Sequence, residues 1–194
     1  MKKIIITLFL VILSVIIAFG HNIFRVESDR FYLPFESFKN RRSIAELIER
    51  SSDGFGAYRL YGHKHAGLDI KGDFNEDVLS IGKGIVIAKW YPFPHSAVLI
   101  EYKFKNEKSF YASYVHLGKI YVKKGDRVNK NTKIGRLFNK NELTKSGFKN
   151  VHLHLEIRKT ISDQGRASYS CKTEGELKNF FYDPLIFFRQ EFKS

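Results

Sequence analysis

Strict alternation of apolar and polar residues marks one stretch of this chain above the rest. In Val151-His152-Leu153-His154-Leu155-Glu156-Ile157 every second residue is aliphatic, and those between carry two imidazoles and a carboxylate. A period of two predicts a β-strand. At a rise of ~3.3 Å per residue, His152 and His154 project from one face roughly 6–7 Å apart, while Val151, Leu153, Leu155 and Ile157 enter a core. An antiparallel strand with one wet face alternates in the same way. The chemistry therefore depends on what the rest of the chain brings to these two histidines.

Ser43-Ile44-Ala45-Glu46 reads as a capping box, and Ile44, Leu47 and Ile48 fall on one helical face, which predicts a short helix over 43–50. Gly67-Leu68-Asp69-Ile70 enters a strand, and short β-rich runs follow at 78–81, 84–90, 97–104, 109–116 and 133–138, divided by turn residues. This rhythm predicts a mainly β fold, an antiparallel sheet or sandwich with short flanking helices, rather than alternating β and α units. The stretch 159–178 is polar and Ser-rich and reads as a loop excursion. Asp183-Pro184 then reads as an N-cap with proline at the first helical position, opening a helix through residue 188. Gly82-Lys83-Gly84 lacks the spacing and the following helix of a phosphate loop.

Length and charge refine this picture. A chain of 194 residues fits one domain plus a targeting segment. Met1-Lys2-Lys3 followed by the apolar run over 4–19 has the form of an export signal, with Ala18 and Gly20 placed for cleavage before His21. An uncleaved N-terminal membrane anchor is the second reading of the same run. The organisation expected is a signal or anchor over 1–20, a lead segment with one short helix over 21–53, and a folded domain over 54–190. The pattern specifies no oligomeric state. Cys171 is the only cysteine, so no disulfide forms within the chain and stability outside the cytoplasm must come from packing or a metal. The net charge of +13 favours anionic partners such as envelope polymers or lipid head groups. For a chain bound for export, charge alone gives no reason to expect nucleic acid.

Three His/Asp groups stand far apart in sequence: His65-Ala66-Gly67-Leu68-Asp69, Tyr114-Val115-His116-Leu117 and His152-Leu153-His154. Hydrolytic zinc sites use three N or O ligands and leave a fourth position for water, and His65, Asp69 and His154 can supply such a set. His116 and His152 are then left to take a proton or to stabilise an oxyanion. His63 lies two residues before His65 and lacks the four-residue spacing to Asp69. Glu156 shares the histidine face and suits a structural hydrogen bond or ion pair. Tyr58, Tyr61 and Tyr114 are candidate oxyanion donors or groove lining, and His21 and His95 read as surface residues.

Taken in order, these motifs resemble those of the lysostaphin- and LytM-like zinc endopeptidases, which cut peptide bonds in bacterial peptidoglycan. The resemblance rests on His65, Gly67 and Asp69, on Tyr114, His116 and Leu117, and on His152 to Glu156. Gly54-Phe55-Gly56 with Arg59, Gly125-Asp126-Arg127-Val128 ahead of Ile134-Gly135, and Asp183-Pro184 support it. It implies a groove-forming antiparallel sheet, one Zn²⁺ held by His65, Asp69 and His154, catalytic roles for His116 and His152, and an exported endopeptidase acting on peptidoglycan in the periplasm, envelope or outside the cell. A non-catalytic wall-binding relative or activator of another hydrolase is the alternative; such proteins typically lose ligands, and this chain keeps all five groups. Two stretches depart from the family pattern: 137–150, longer and lysine-rich with only Gly147, and 159–178.

Overall fold

A computed structural model describes residues 30–60, 62–161 and 171–193. The signal or anchor, the start of the lead segment, Tyr61 and part of the expected excursion lie outside the described residues. In chain order the elements are α1 (Ile44–Arg50), β1 (Ser51–Asp53), β2 (Leu68–Lys71), β3 (Asp77–Leu79), β4 (Gly84–Trp90), β5 (Ala97–Lys103) and β6 (Ser109–Val115). There follow β7 (Lys119–Ile120), β8 (Arg127–Val128), β9 (Lys133–Arg136), α2 (Lys140–Ser146), β10 (His152–Arg158), α3 (Glu174–Phe180), β11 (Phe181–Tyr182) and α4 (Pro184–Glu191).

The fold is mainly antiparallel β, as the strand rhythm predicts. An eight-stranded sheet runs β1-β2-β10-β6-β5-β4-β8, with β11 added to β10, and a three-stranded sheet runs β3-β9-β7. The histidine strand β10 sits between β2 and β6. Its register sets His154 opposite Asp69 on one side and opposite Val115 on the other. The same row continues through Ala97 on β5 to Trp90 on β4, so these side chains share the face of His154. Leu153, Leu155 and Ile157 point the other way and are fully buried in the main core.

That core also takes in Phe31, Leu33, Phe35 and Phe38. A boundary at residue 54 therefore does not separate two packing units: the described part of the lead segment is built into the core, and β1 pairs with β2. It packs on the face away from the histidines, so it does not cross the site. Arg41 and Arg42 fasten it through backbone carbonyls of Leu33, Lys130, Phe31 and Glu191.

Local capping rules account for the helices. Ser43 accepts from the Glu46 amide, but the Glu46 carboxylate accepts from the amides of Lys39 and Asn40 instead of closing the box on Ser43. Asp183 accepts from the Leu185 amide at 2.8 Å, as expected of an N-cap before proline. The helices α2 and α3 add to the expected layout. Full capping boxes, Asn139 with Glu142 and Thr173 with Glu176, start them. The second lies inside the stretch read as a loop. No helix among the described residues is long and apolar enough to cross a membrane.

Candidate metal centre

His65 precedes β2 in a loop that the backbone ties down tightly. The His65 amide donates to the Ala57 carbonyl and the Gly56 amide to the His65 carbonyl, each at 2.8 Å. Gly56 has φ +83°, which suits glycine. The Gly54 carbonyl accepts from Nδ1 of His65 at 2.8 Å. A carbonyl only accepts, so Nδ1 carries the proton and Nε2 presents a lone pair. That lone pair lies 3.1 Å from Oδ1 of Asp69 and 2.8 Å from Nδ1 of His154. Nδ1 of His154 is in turn 2.8 Å from Oδ1 of Asp69.

Neighbouring residues fix this arrangement. Gly67 explains the middle of the His-x-Gly-x-Asp motif: a Cβ there would meet the Leu155 carbonyl at 2.6 Å and the His154 ring at 2.9 Å. Only a residue without a side chain lets the loop approach β10 so closely. Arg59 pairs with Oδ2 of Asp69 at 2.6 Å and with Asp53 at 2.9 Å, which leaves Oδ1 for the cluster. The Glu156 carboxylate accepts from Nε2 of His154 at 3.1 Å. A small second core of Ala66, Cys171, Leu177 and Phe181, with Phe55 and Phe180 against it, packs beside His65.

Both remaining histidines are anchored in the same manner. His116 follows β6 directly with φ +70°, a left-handed turn of the backbone, and donates from Nδ1 to the Pro94 carbonyl at 2.9 Å. His152 opens β10 and donates from Nδ1 to the Asn150 carbonyl at 3.0 Å. In each ring Nε2 is the remaining lone pair. The two rings lie 4.9 Å apart between centroids, and His116 lies 5.9 Å from His154. Phe148, from the lysine-rich insertion, packs on both at 4.6 and 5.4 Å.

Of the other candidates, Tyr114 is fully buried in the core and hydrogen-bonded to Tyr102 and the Ile81 amide, so it is no oxyanion donor. Burial pushes its hydroxyl pKa up to about 12. Tyr58 is exposed beneath the Lys64 ammonium. His63 is not part of the ligand cluster. His95 is exposed, as read from the sequence, yet its ring stands 5.3 Å from that of His116. No motif spacing announces that neighbour; the turn through Pro94 creates it.

Charge follows from the contacts. Burial opposes ionisation of Asp69, but the hydrogen bond with the His154 cation, with His65 beside it, holds its carboxyl far below the usual range. Burial also opposes a charge on His154, but in the metal-free chain its bonds to Asp69 and Glu156 raise its pKa to about 9. Burial presses His116 well below the ordinary histidine value and His152 below it too. Once His154 gives up its Nδ1 proton, the lone pairs of His65 Nε2 and His154 Nδ1 converge with an Asp69 oxygen and no proton remains between them. Such a donor set fits a divalent cation.

Sheet and site together define a metal-dependent peptidase fold. The chain belongs to peptidase family M23, whose family model matches residues 63–168, a span containing all five candidate groups. A metalloprotease of uncharacterised function from Buchnera aphidicola subsp. Baizongia pistaciae is 27% identical over 157 residues, covering 79% of this chain and 39% of that relative. The chain thus spans well under half of that protein's length. The catalytic domain of lysostaphin, an antimicrobial peptidase from Staphylococcus simulans, superposes with a TM-score of 0.54 at 21% identity, covering 76% of this chain and 98% of the domain. LytU superposes with a TM-score of 0.51 at 23% identity, covering 73% and 85%. Both share the fold.

Proposed function

We propose that this chain is an exported zinc metalloendopeptidase that hydrolyses peptide bonds in the stem or cross-bridge of peptidoglycan. The observation that carries the reading is the convergence of His65, Asp69 and His154 beside two further histidines whose Nε2 atoms remain available. Zinc, when bound, supplies a Lewis acid that polarises the scissile carbonyl and makes water a nucleophile near neutral pH.

The chain's own residues supply the rest. His116 and His152 are neutral at neutral pH, because burial disfavours their cations. Each presents a basic Nε2, so one accepts the proton of the attacking water and, as an imidazolium, returns it to the leaving amine. The other takes a proton from solvent as negative charge develops and donates it as a hydrogen bond to the oxyanion. Their Nδ1–H bonds to Pro94 and Asn150 hold both rings during these transfers. The insertion bearing Phe148 lines one side of this face and is placed to select the peptide.

Digestion of purified peptidoglycan by the protein, with and without zinc and alongside His152→Ala, tests the reading by product mass. New peptide ends that require zinc and vanish in the variant are expected. Intact sacculi with zinc bound would replace it with a wall-binding activator.

A further inference from the structure

Behind the ligand cluster lies a layer of charge that the reaction does not touch. Glu156 is 0% exposed and Arg158 is 2% exposed, surroundings in which a lone charge is very costly. The two are partners, with Arg158 Nη1 3.2 Å from Oε2 of Glu156. The other carboxylate oxygen, Oε1, lies 3.1 Å from Nε2 of His154. Arg158 is itself clamped: its guanidinium sits 4.9 Å from the centre of the Phe181 ring, and β11 pairs Phe181 with Arg158.

We propose that Glu156, held by Arg158, is a positioning residue that fixes His154 with its proton on Nε2 and its Nδ1 lone pair aimed at His65 and Asp69. The argument is one of donors and acceptors. A neutral imidazole has two tautomers, and the wrong one would point an N–H into the cluster and withhold a ligand. An ionised carboxylate only accepts, so Asp69 and Glu156 each hold a proton on the nitrogen that faces them while no cation is bound; once a cation takes Nδ1, Glu156 keeps the remaining proton on Nε2, where the swapped tautomer would set a lone pair against a buried oxygen 3.1 Å away. Arg158 occupies the second oxygen and keeps the carboxylate from turning. In this way β11, far from the motifs in sequence, contributes to the metal centre. The inference deepens the zinc reading above and, for its use, rests on it.

The test uses the full chain and two readouts: ¹H–¹⁵N spectra of the His154 imidazole in zinc-loaded protein, read for an Nε2 proton protected from solvent exchange, and zinc affinity by chelator competition. Wild type should show His154 protonated at Nε2, with that proton in slow exchange. Glu156→Ala should lose the protection and bind zinc about 10–100-fold more weakly. Because that variant takes a carboxylate away from the buried Arg158 guanidinium, Glu156→Leu/Arg158→Leu is run beside it, an apolar pair that preserves packing while removing the acceptor. It should show the same two changes. Glu156→Gln, which keeps an acceptor oxygen, should restore the spectrum and bring affinity within about tenfold of wild type. A double variant with wild-type spectrum and affinity would overturn the proposal, as would a wild-type proton on Nδ1. Wild type that takes up no zinc, yet shows the same protected Nε2 proton without metal, would sink the zinc reading and leave the orientation of His154 standing.

Discussion

Nδ1 of His154 and Oδ1 of Asp69 meet at 2.8 Å because the two residues are direct partners across the β10–β2 pair. Strand register, not a flexible loop, brings two of the three proposed ligands together. Asp69→Ala and His154→Ala should therefore lower bound metal from about one per chain to near zero while the sheet still forms. Atomic emission on purified variants reads this directly, and a full complement of metal in either one would remove it from the ligand set.

Metal uptake should release a proton. In the metal-free chain His154 holds its cation below about pH 9, so a metal must displace that proton to reach Nδ1. Affinity should climb by about tenfold per pH unit toward pH 9, in the direction of the deprotonated ligand. Titrations compared at about pH 7 and about pH 8.5 give the slope. A flat profile would show that no ligand is protonated beforehand.

Gly67→Ala should weaken metal binding without touching any ligand. The added methyl would need the space held by the Leu155 carbonyl and the His154 ring. Displacing either shifts the loop bearing His65 relative to β10, and a loss of about 10–100-fold in affinity is expected, as for other changes in the shell around a metal. Chelator competition gives the number; wild-type affinity would mean the loop yields freely.

The lead segment should be indispensable to folding. A version starting at Ser43 loses the buried Phe31, Leu33, Phe35 and Phe38 and should unfold without a cooperative transition. Phe35→Ala in the full chain should cost about 3–5 kcal/mol. Thermal unfolding followed by circular dichroism checks both, and a cooperative Ser43 version would reduce the segment to decoration.

How far the sequence announced all this depends on which rule wrote each part. The β10 strand was legible because its alternation is strict and both faces are used: aliphatics into the core, histidines toward β2. The helices α1 and α4 were legible from Ser43 and from Asp183-Pro184. The helix α2 was not, although Asn139 and Glu142 form its capping box, because it buries no residue and so has no apolar stripe to reveal it. Its neighbour α3 buries only Leu177, and its Thr173 and Glu176 sit among polar residues that read as loop. The burial of Arg158 was equally opaque. A cation at a strand end is ordinarily solvated, and here Glu156, two residues earlier on β10, and Phe181, arriving on β11, enclose it. The same holds for His95, which the turn around Pro94 brings beside His116.

The row that runs from His154 through Val115 and Ala97 ends at Trp90, the chain's one tryptophan, half-buried on β4. Three strand spacings put that indole about 14 Å from the histidine, on the same side of the sheet. The molecule thus carries a built-in fluorophore within energy-transfer range of a coloured ion such as cobalt(II), and occupancy of the metal centre becomes something that can be watched as light, in real time and without a label.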